Sequence, residues 1–261
     1  MVHRRLILLT ATLSVLAAAG CGRNAPEPAQ NRSAAAPAKP KPAPAIPLPE
    51  PKFEREQLIL TALRAMSDAA LGKDDSAAQK QLEGREFALR LRFGCPGAAS
   101  TKSRSWSYDD KTQTLRAHFD ADLSAEKVPS SDLLLKGYEG VVGFTVQRPL
   151  LLSAGCPTPQ FATVTGAEPT IAVAQLFTSQ ESRVQRPEKS YDITKVIEDA
   201  EKPTQGLDLV VAGRFHEMSD GRIIHCAADD GPPVCIFSAK LDRVAIENPV
   251  SGTVLGEWSQ W

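Results

Sequence analysis

Long hydrophobic runs are scarce in this chain. The one extended apolar stretch, Leu6 to Ala19, has 14 residues, short of the roughly 20 that a spanning helix needs. A mean hydropathy of −0.21 agrees, and together they exclude a polytopic membrane protein. An excess of one charge is also missing. Thirty Lys and Arg face 31 Asp and Glu, for a net charge of −1. That excludes a nucleic-acid binder that works by bulk electrostatics. The usual catalytic and ligating signatures are absent as well. There is no Cys-x-x-Cys, His-Glu-x-x-His or Gly-x-Ser-x-Gly, no phosphate loop and no dinucleotide fingerprint. No metal, cofactor or assigned catalytic residue follows from the sequence.

What is present is the composition of a globular protein, 42% hydrophobic and 23% charged over 261 residues. The charge is unevenly spread. Seven of the 30 bases but only two of the 31 acids precede Phe53, which leaves the rest of the chain near −6. An acidic body repels phosphate backbones.

The first residues read as an address. Met1 to Arg5 is a short cationic lead, and Leu6 to Ala19 has the length of a secretory apolar region. The run ends Leu16-Ala17-Ala18-Ala19-Gly20-Cys21. This resembles the lipobox of bacterial lipoproteins, in which small residues precede a cysteine. It departs from the family's preference at Ala18, where leucine is usual. The resemblance covers residues 1–21 only. It implies a diacylglycerol on the Cys21 thiol, cleavage after Gly20 and N-acylation of the new terminus. Two or three acyl chains anchor firmly, at about 0.8 kcal/mol per buried CH₂. Gly22, rather than Asp, follows the cysteine, and by the same resemblance this favours the outer membrane. The expected location is the bacterial cell envelope, lipid-anchored and facing the periplasm. The other reading is an ordinary secretory peptide with a chance cysteine.

Residues 22–52 hold nine prolines and eight alanines and no aromatic residue. Such a segment cannot bury a core. It reads as a polyproline-rich tether reaching about 95 Å if fully extended. It is either a passive linker or a spacer that lets the body reach peptidoglycan or an envelope protein.

From Phe53 the pattern is that of a folded body. Ile59, Leu63, Met66 and Ala70 recur at helical spacing, widened by Leu58, Ala62, Ala65 and Ala69, so Phe53–Leu71 reads as an amphipathic helix stopped by Gly72. Asp75 would cap a second short helix through Leu82. The period then becomes two. Phe87, Leu89, Leu91 and Phe93 alternate with polar or small residues, as do Leu115, Ala117, Phe119, Ala121 and Leu123. Further strands are expected at 104–108, 139–147, 170–178, 207–216, 221–227, 233–247 and 253–258. The apolar phase changes within 233–247, which predicts a bulge near Asp242-Arg243. Ile193, Val196, Ile197 and Ala200 fit a short helix, and an extended reading of 190–197 is nearly as good. Strands following strands predict a mainly β (α+β) body, an antiparallel sandwich or barrel-like fold with an N-terminal helix. The domains read as 1–20 signal, 21–52 tether and 53–261 body, and the Pro-rich stretch 157–169 could subdivide the body into 53–156 and 170–261.

Without Cys21 four cysteines remain, an even number that suits two disulfides in an exported protein. Cys226 and Cys235 flank the turn signal Asp229-Asp230-Gly231-Pro232, so this pairing is favoured, leaving Cys95 with Cys156. A metal site near His216, His225, Cys226 and Asp229 is the rival, but adjacent strand residues point to opposite faces.

The polar row Arg116, His118, Asp120 and Asp122 is the most suggestive constellation. A histidine between carboxylates can be tuned as an acid or base. Arg90 and Arg92 would add charge if the two strands paired. The plainer reading is a solvated sheet face with cross-strand ion pairs. Ser124-Ala-Glu-Lys127 resembles the Ser-x-x-Lys of penicillin-recognising enzymes but follows a strand and lacks that family's Ser-Asp-Asn and Lys-Thr-Gly partners. Trp258 and Trp261 read as closing a core edge. Three function classes follow. The first is a non-enzymatic binding or structural domain held at the envelope. The second is a carrier of an apolar ligand in a β-barrel cavity. The third is an envelope hydrolase using His118 and the neighbouring aspartates.

Overall fold

The computed structural model describes residues 50–73, 76–96, 101–123, 136–158, 170–182, 190–227 and 233–259. Residues 1–49, with Cys21 and the lipobox and most of the tether expected there, lie outside them, as do Asp75, Ser124–Lys127, the turn expected at 229–232 and Trp261. The chain from Pro49 onward forms one compact unit.

Strands dominate, in two sheets. The larger runs β1 (Phe53–Glu54), β2 (Glu86–Phe93), β8 (Leu207–Phe215), β10 (Val234–Glu247), β6 (Ile171–Phe177) and β5 (Gly140–Val146), with β9 (Ile224–Ala227) and β11 (Val254–Trp258) also paired to β10. The smaller runs β3 (Arg104–Asp109), β4 (Thr114–Asp120) and β7 (Ser190–Val196). Pairing is antiparallel except for β1 with β2 and β6 with β10. The sheets face each other as a sandwich-like body and no closed barrel forms. Of the two forms expected for the body, the sandwich is the one that the described residues take. β2, from before 157–169, pairs along its length with β8, from after it, so one sheet draws on both sides of that stretch.

β10 carries the bulge its sequence announces. Its register against β8 shifts between Leu241 and Arg243. The facing residue is Gly213, where an added Cβ would sit 2.1 Å from the Lys240 carbonyl. Only glycine admits the approach that lets Leu241 and Val244 both face inward, the two being 4% and 0% exposed.

The core lies between the sheets and under the first helix. Phe93 meets Phe119 edge-on at 5.2 Å, and Phe144, Tyr191 and Trp258 continue the aromatic line. The helix α1 (Arg55–Ala70) opens with a reciprocal cap between Glu54 and Gln57. It stops at Gly72, whose φ of 66° suits glycine best. Its buried face is Leu58, Ile59, Ala62 and Ala65, with Met66 at the margin. Leu63, Ala69 and Ala70 are exposed, which corrects the expected stripe. Apolar residues surround this helix, so spacing alone could not fix its phase. A second helix, α2, covers Ser76–Leu82. Residues 190–196 are strand rather than helix, the second of the two readings, and a 3-10 turn follows at Asp199–Glu201.

Candidate functional site

The polar row on β4 becomes two separate sites. β4 is the middle strand of the small sheet, with Ser105 and Asp192 directly beside His118 on β3 and β7. Leu115, Ala117 and Phe119 point into the sandwich, so Arg116, His118 and Asp120 face outward. His118 Nδ1 stands 2.7 Å from Asp192 Oδ1, and Nε2 stands 3.2 Å from Asp120 Oδ2. Ser190 Oγ donates to Asp120 at 2.8 Å. The hydrogen bond to Asp192 lifts the His118 pKa above its usual 6.5, with Asp120 adding to the rise and partial burial opposing it. A neutral imidazole has one N–H, so carboxylates at both nitrogens favour the imidazolium.

This geometry limits the chemistry. A general base needs a nitrogen free to take a proton from a substrate or nucleophile. Both nitrogens of His118 are turned to carboxylates. The arrangement cross-links two strands and leaves neither ring nitrogen without a carboxylate partner.

Asp122 does not join this group. β4 ends at Asp120, and the Asp122 carboxylate, 15% exposed, lies at the edge of β5. There it pairs with Arg104 of β3 and accepts from the Thr145 backbone N–H at 2.9 Å and from the Thr145 hydroxyl. Arg104 also donates to Thr145 Oγ1 at 3.2 Å and lies 4.6 Å from the centre of the Phe119 ring. Burial pulls the Arg104 pKa down, and Asp122 opposes that pull. Arg104 is 5% exposed. The pair joins the small sheet to β5 of the large one.

Arg90 and Arg92 lie on the other sheet, away from His118. Arg92 grips Asp208 with two nitrogens, at 2.6 and 3.3 Å, and donates to the Gln205 carbonyl. Arg90 reaches Glu247 at 2.6 Å and Asp208 at 3.7 Å, and Arg243 links Glu247 to Glu257. These side chains tile the outer face of β2, β8 and β10. They shield Val210 and Ala245, 3% and 0% exposed.

Cys95 pairs with Cys156, with Cα atoms 5.5 Å apart. Cys226 pairs with Cys235 across the β9–β10 ladder. The Cys226 sulfur is therefore committed, and His225 turns its Nε2 to Asp220 at 3.3 Å. Burial lowers the His225 pKa. Among the described residues no three His, Cys, Asp or Glu side chains converge to hold a metal ion. His216 is exposed at the end of β8, and Trp258 closes a core edge against Tyr191.

Sequence reading missed Asp192 and Ser190, the partners that define the His118 cluster. The alternation of Ser190, Asp192 and Thr194 was the available signal, hidden by the competing helical spacing in 193–200. Asp208 and Glu247 were missed because each stands singly within an apolar run. Comparison of the chain with models of protein families, with curated proteins and with solved structures finds no match.

Proposed function

We propose that this chain is a lipid-anchored envelope protein whose β-rich domain is a non-enzymatic binding or structural module. The observation that carries the reading is the apolar stretch ending Ala19-Gly20-Cys21, followed at once by a 31-residue tether in which nine positions are proline. That order delivers a body and then holds it away from a bilayer. Two disulfides in the folded domain suit an oxidising compartment. With a carboxylate at each ring nitrogen, His118 is placed as a cross-strand link more than as a free general base. Among the described residues no helix is long and apolar enough to cross a membrane, so the acyl group would be the anchor.

Labelled palmitate fed to cells producing the full chain tests the anchor. Incorporation that disappears in Cys21→Ala supports it, and equal labelling of both refutes it. Crosslinking in the native envelope tests the module. One reproducible protein or peptidoglycan adduct, lost when residues 22–52 are shortened, is the expected result. A copurified lipid without any partner would move the apolar-carrier reading to first place.

A further inference from the structure

We infer that the outer edge of β7 is a docking site for one extended strand of a partner protein, basic beside Asp192 and apolar beside Val196. The inference rests on the binding-module reading and deepens it.

The hydrogen-bond phase of β7 supports this. The Ile197 N–H donates to the Gln113 carbonyl at 3.0 Å, which fixes residues 113 and 197 as a hydrogen-bonded pair. Pairs alternate along an antiparallel ladder. Residues 191, 193 and 195 therefore bond to β4, while Ser190, Asp192, Thr194 and Val196 turn their N–H and C=O groups away from it. The close side-chain approach of Asp192 to His118 is the mark of a non-hydrogen-bonded pair, which confirms the phase. Among the described residues no backbone hydrogen bond reaches these four from outside. Such a row accepts an extended backbone at the strand spacing and no other common ligand.

The side chains narrow the occupant. Val196 is 70% exposed, a β-branched residue at the rim of a sheet, and an added strand would cover it. The charged groups around this edge are Asp192 and Lys195 on β7, Arg116, His118 and Asp120 on β4, and Glu198 and Asp199 just beyond. Lys195 is drawn aside to the Val254 carbonyl at 3.4 Å. Asp192 is the charged residue among the four outward positions and is 65% exposed, so a strand with a basic residue beside it is the complementary one. Proline at alternate positions would remove the donors that face β7.

The test uses the full chain, isotopically labelled, and a blocked seven-residue peptide of alternating Val and Thr with one Lys. Bound peptide should slow hydrogen exchange at the Asp192, Thr194 and Val196 amides by about tenfold or more. The same peptide N-methylated at alternate residues should give no protection. Thr194→Pro removes one outward N–H and no bond to β4, and it should abolish protection while leaving the rest of the spectrum in place. No protection at millimolar peptide overturns the inference. Protection that grows with protein concentration alone would give the edge to a second copy and overturn it equally. If the edge fails while the envelope adduct persists, the binding-module reading stands and the partner docks elsewhere.

Discussion

Asp120 and Asp122 are two residues apart on what reads as one strand face, yet they end in opposite surroundings. Asp120 lies on the wet side of the small sheet, with His118 and Ser190. Asp122, 15% exposed, lies at the edge of β5 against a guanidinium that is 5% exposed. The two clusters have similar members, carboxylates around one cationic group and a hydroxyl. What separates them is solvent. Outside, water and salt screen each pair and little depends on any one of them. Inside, each charge has lost its hydration and depends on its partner. Identical residue chemistry can therefore be incidental to stability at one end of a turn and essential to it at the other.

The largest test of this contrast is Asp122→Ala. It strands the Arg104 charge in the core and should cost about 3–5 kcal/mol, read as a shift in the denaturant midpoint at constant slope. A loss under about 1 kcal/mol would mean that water reaches Arg104, and the contrast would collapse. Replacing both members, Arg104→Met with Asp122→Leu, should recover most of the loss, because the cost comes from the unpaired charge.

The outer cluster should respond less. His118→Ala should cost no more than about 1 kcal/mol. The sign follows from the raised pKa. A histidine that gains carboxylate partners on folding binds its proton more tightly in the native state. Its stabilisation is full below pH 6.5 and fades as pH rises through the higher folded value. Wild type and His118→Ala should therefore converge at alkaline pH. A gap that widens with pH would reverse the assignment.

A subtler reading comes from the imidazole itself. Its titration, followed by NMR, should centre above 6.5 in the wild type and move down in Asp192→Asn, with a smaller move in Asp120→Asn. Equal moves would contradict the order set by the 2.7 and 3.2 Å contacts. Smallest of all, Arg116→Ala should leave the unfolding midpoint unchanged, as expected of an exposed side chain that supplies none of the contacts described in either cluster.

Much of the fold was legible because period two is a local signal. Phe87 to Phe93 and Leu115 to Phe119 alternate cleanly, and both are strands. Even the bulge in β10 left a trace, since a shifted apolar phase is itself a pattern. The helix was legible in kind but not in phase, because Leu60 and Leu63 are as apolar as the buried Leu58 and Ile59. β7 was equivocal because Ile193, Val196 and Ile197 satisfy helical spacing too. The site was half legible. His118 and Asp120 are neighbours in sequence, but Asp192 lies 74 residues from His118 and only tertiary structure joins them. Asp122 was misplaced because nothing local announces that β4 stops two residues earlier.

The strand order has a consequence for how the domain is made. β1, β2 and β8 form one wing of the large sheet, β6 and β5 the other, and β10 is the link between them. That link is residues 234–247, later in the chain than every strand of either wing. A nascent chain can pair β5 with β6, and later β2 with β8, but it cannot join the wings until β10 has emerged. Pairing that waits for distant residues is slow. The two wings therefore stay unjoined until β10 is made. A truncation before Cys235 would not shorten the domain but leave the two wings without the strand that joins them.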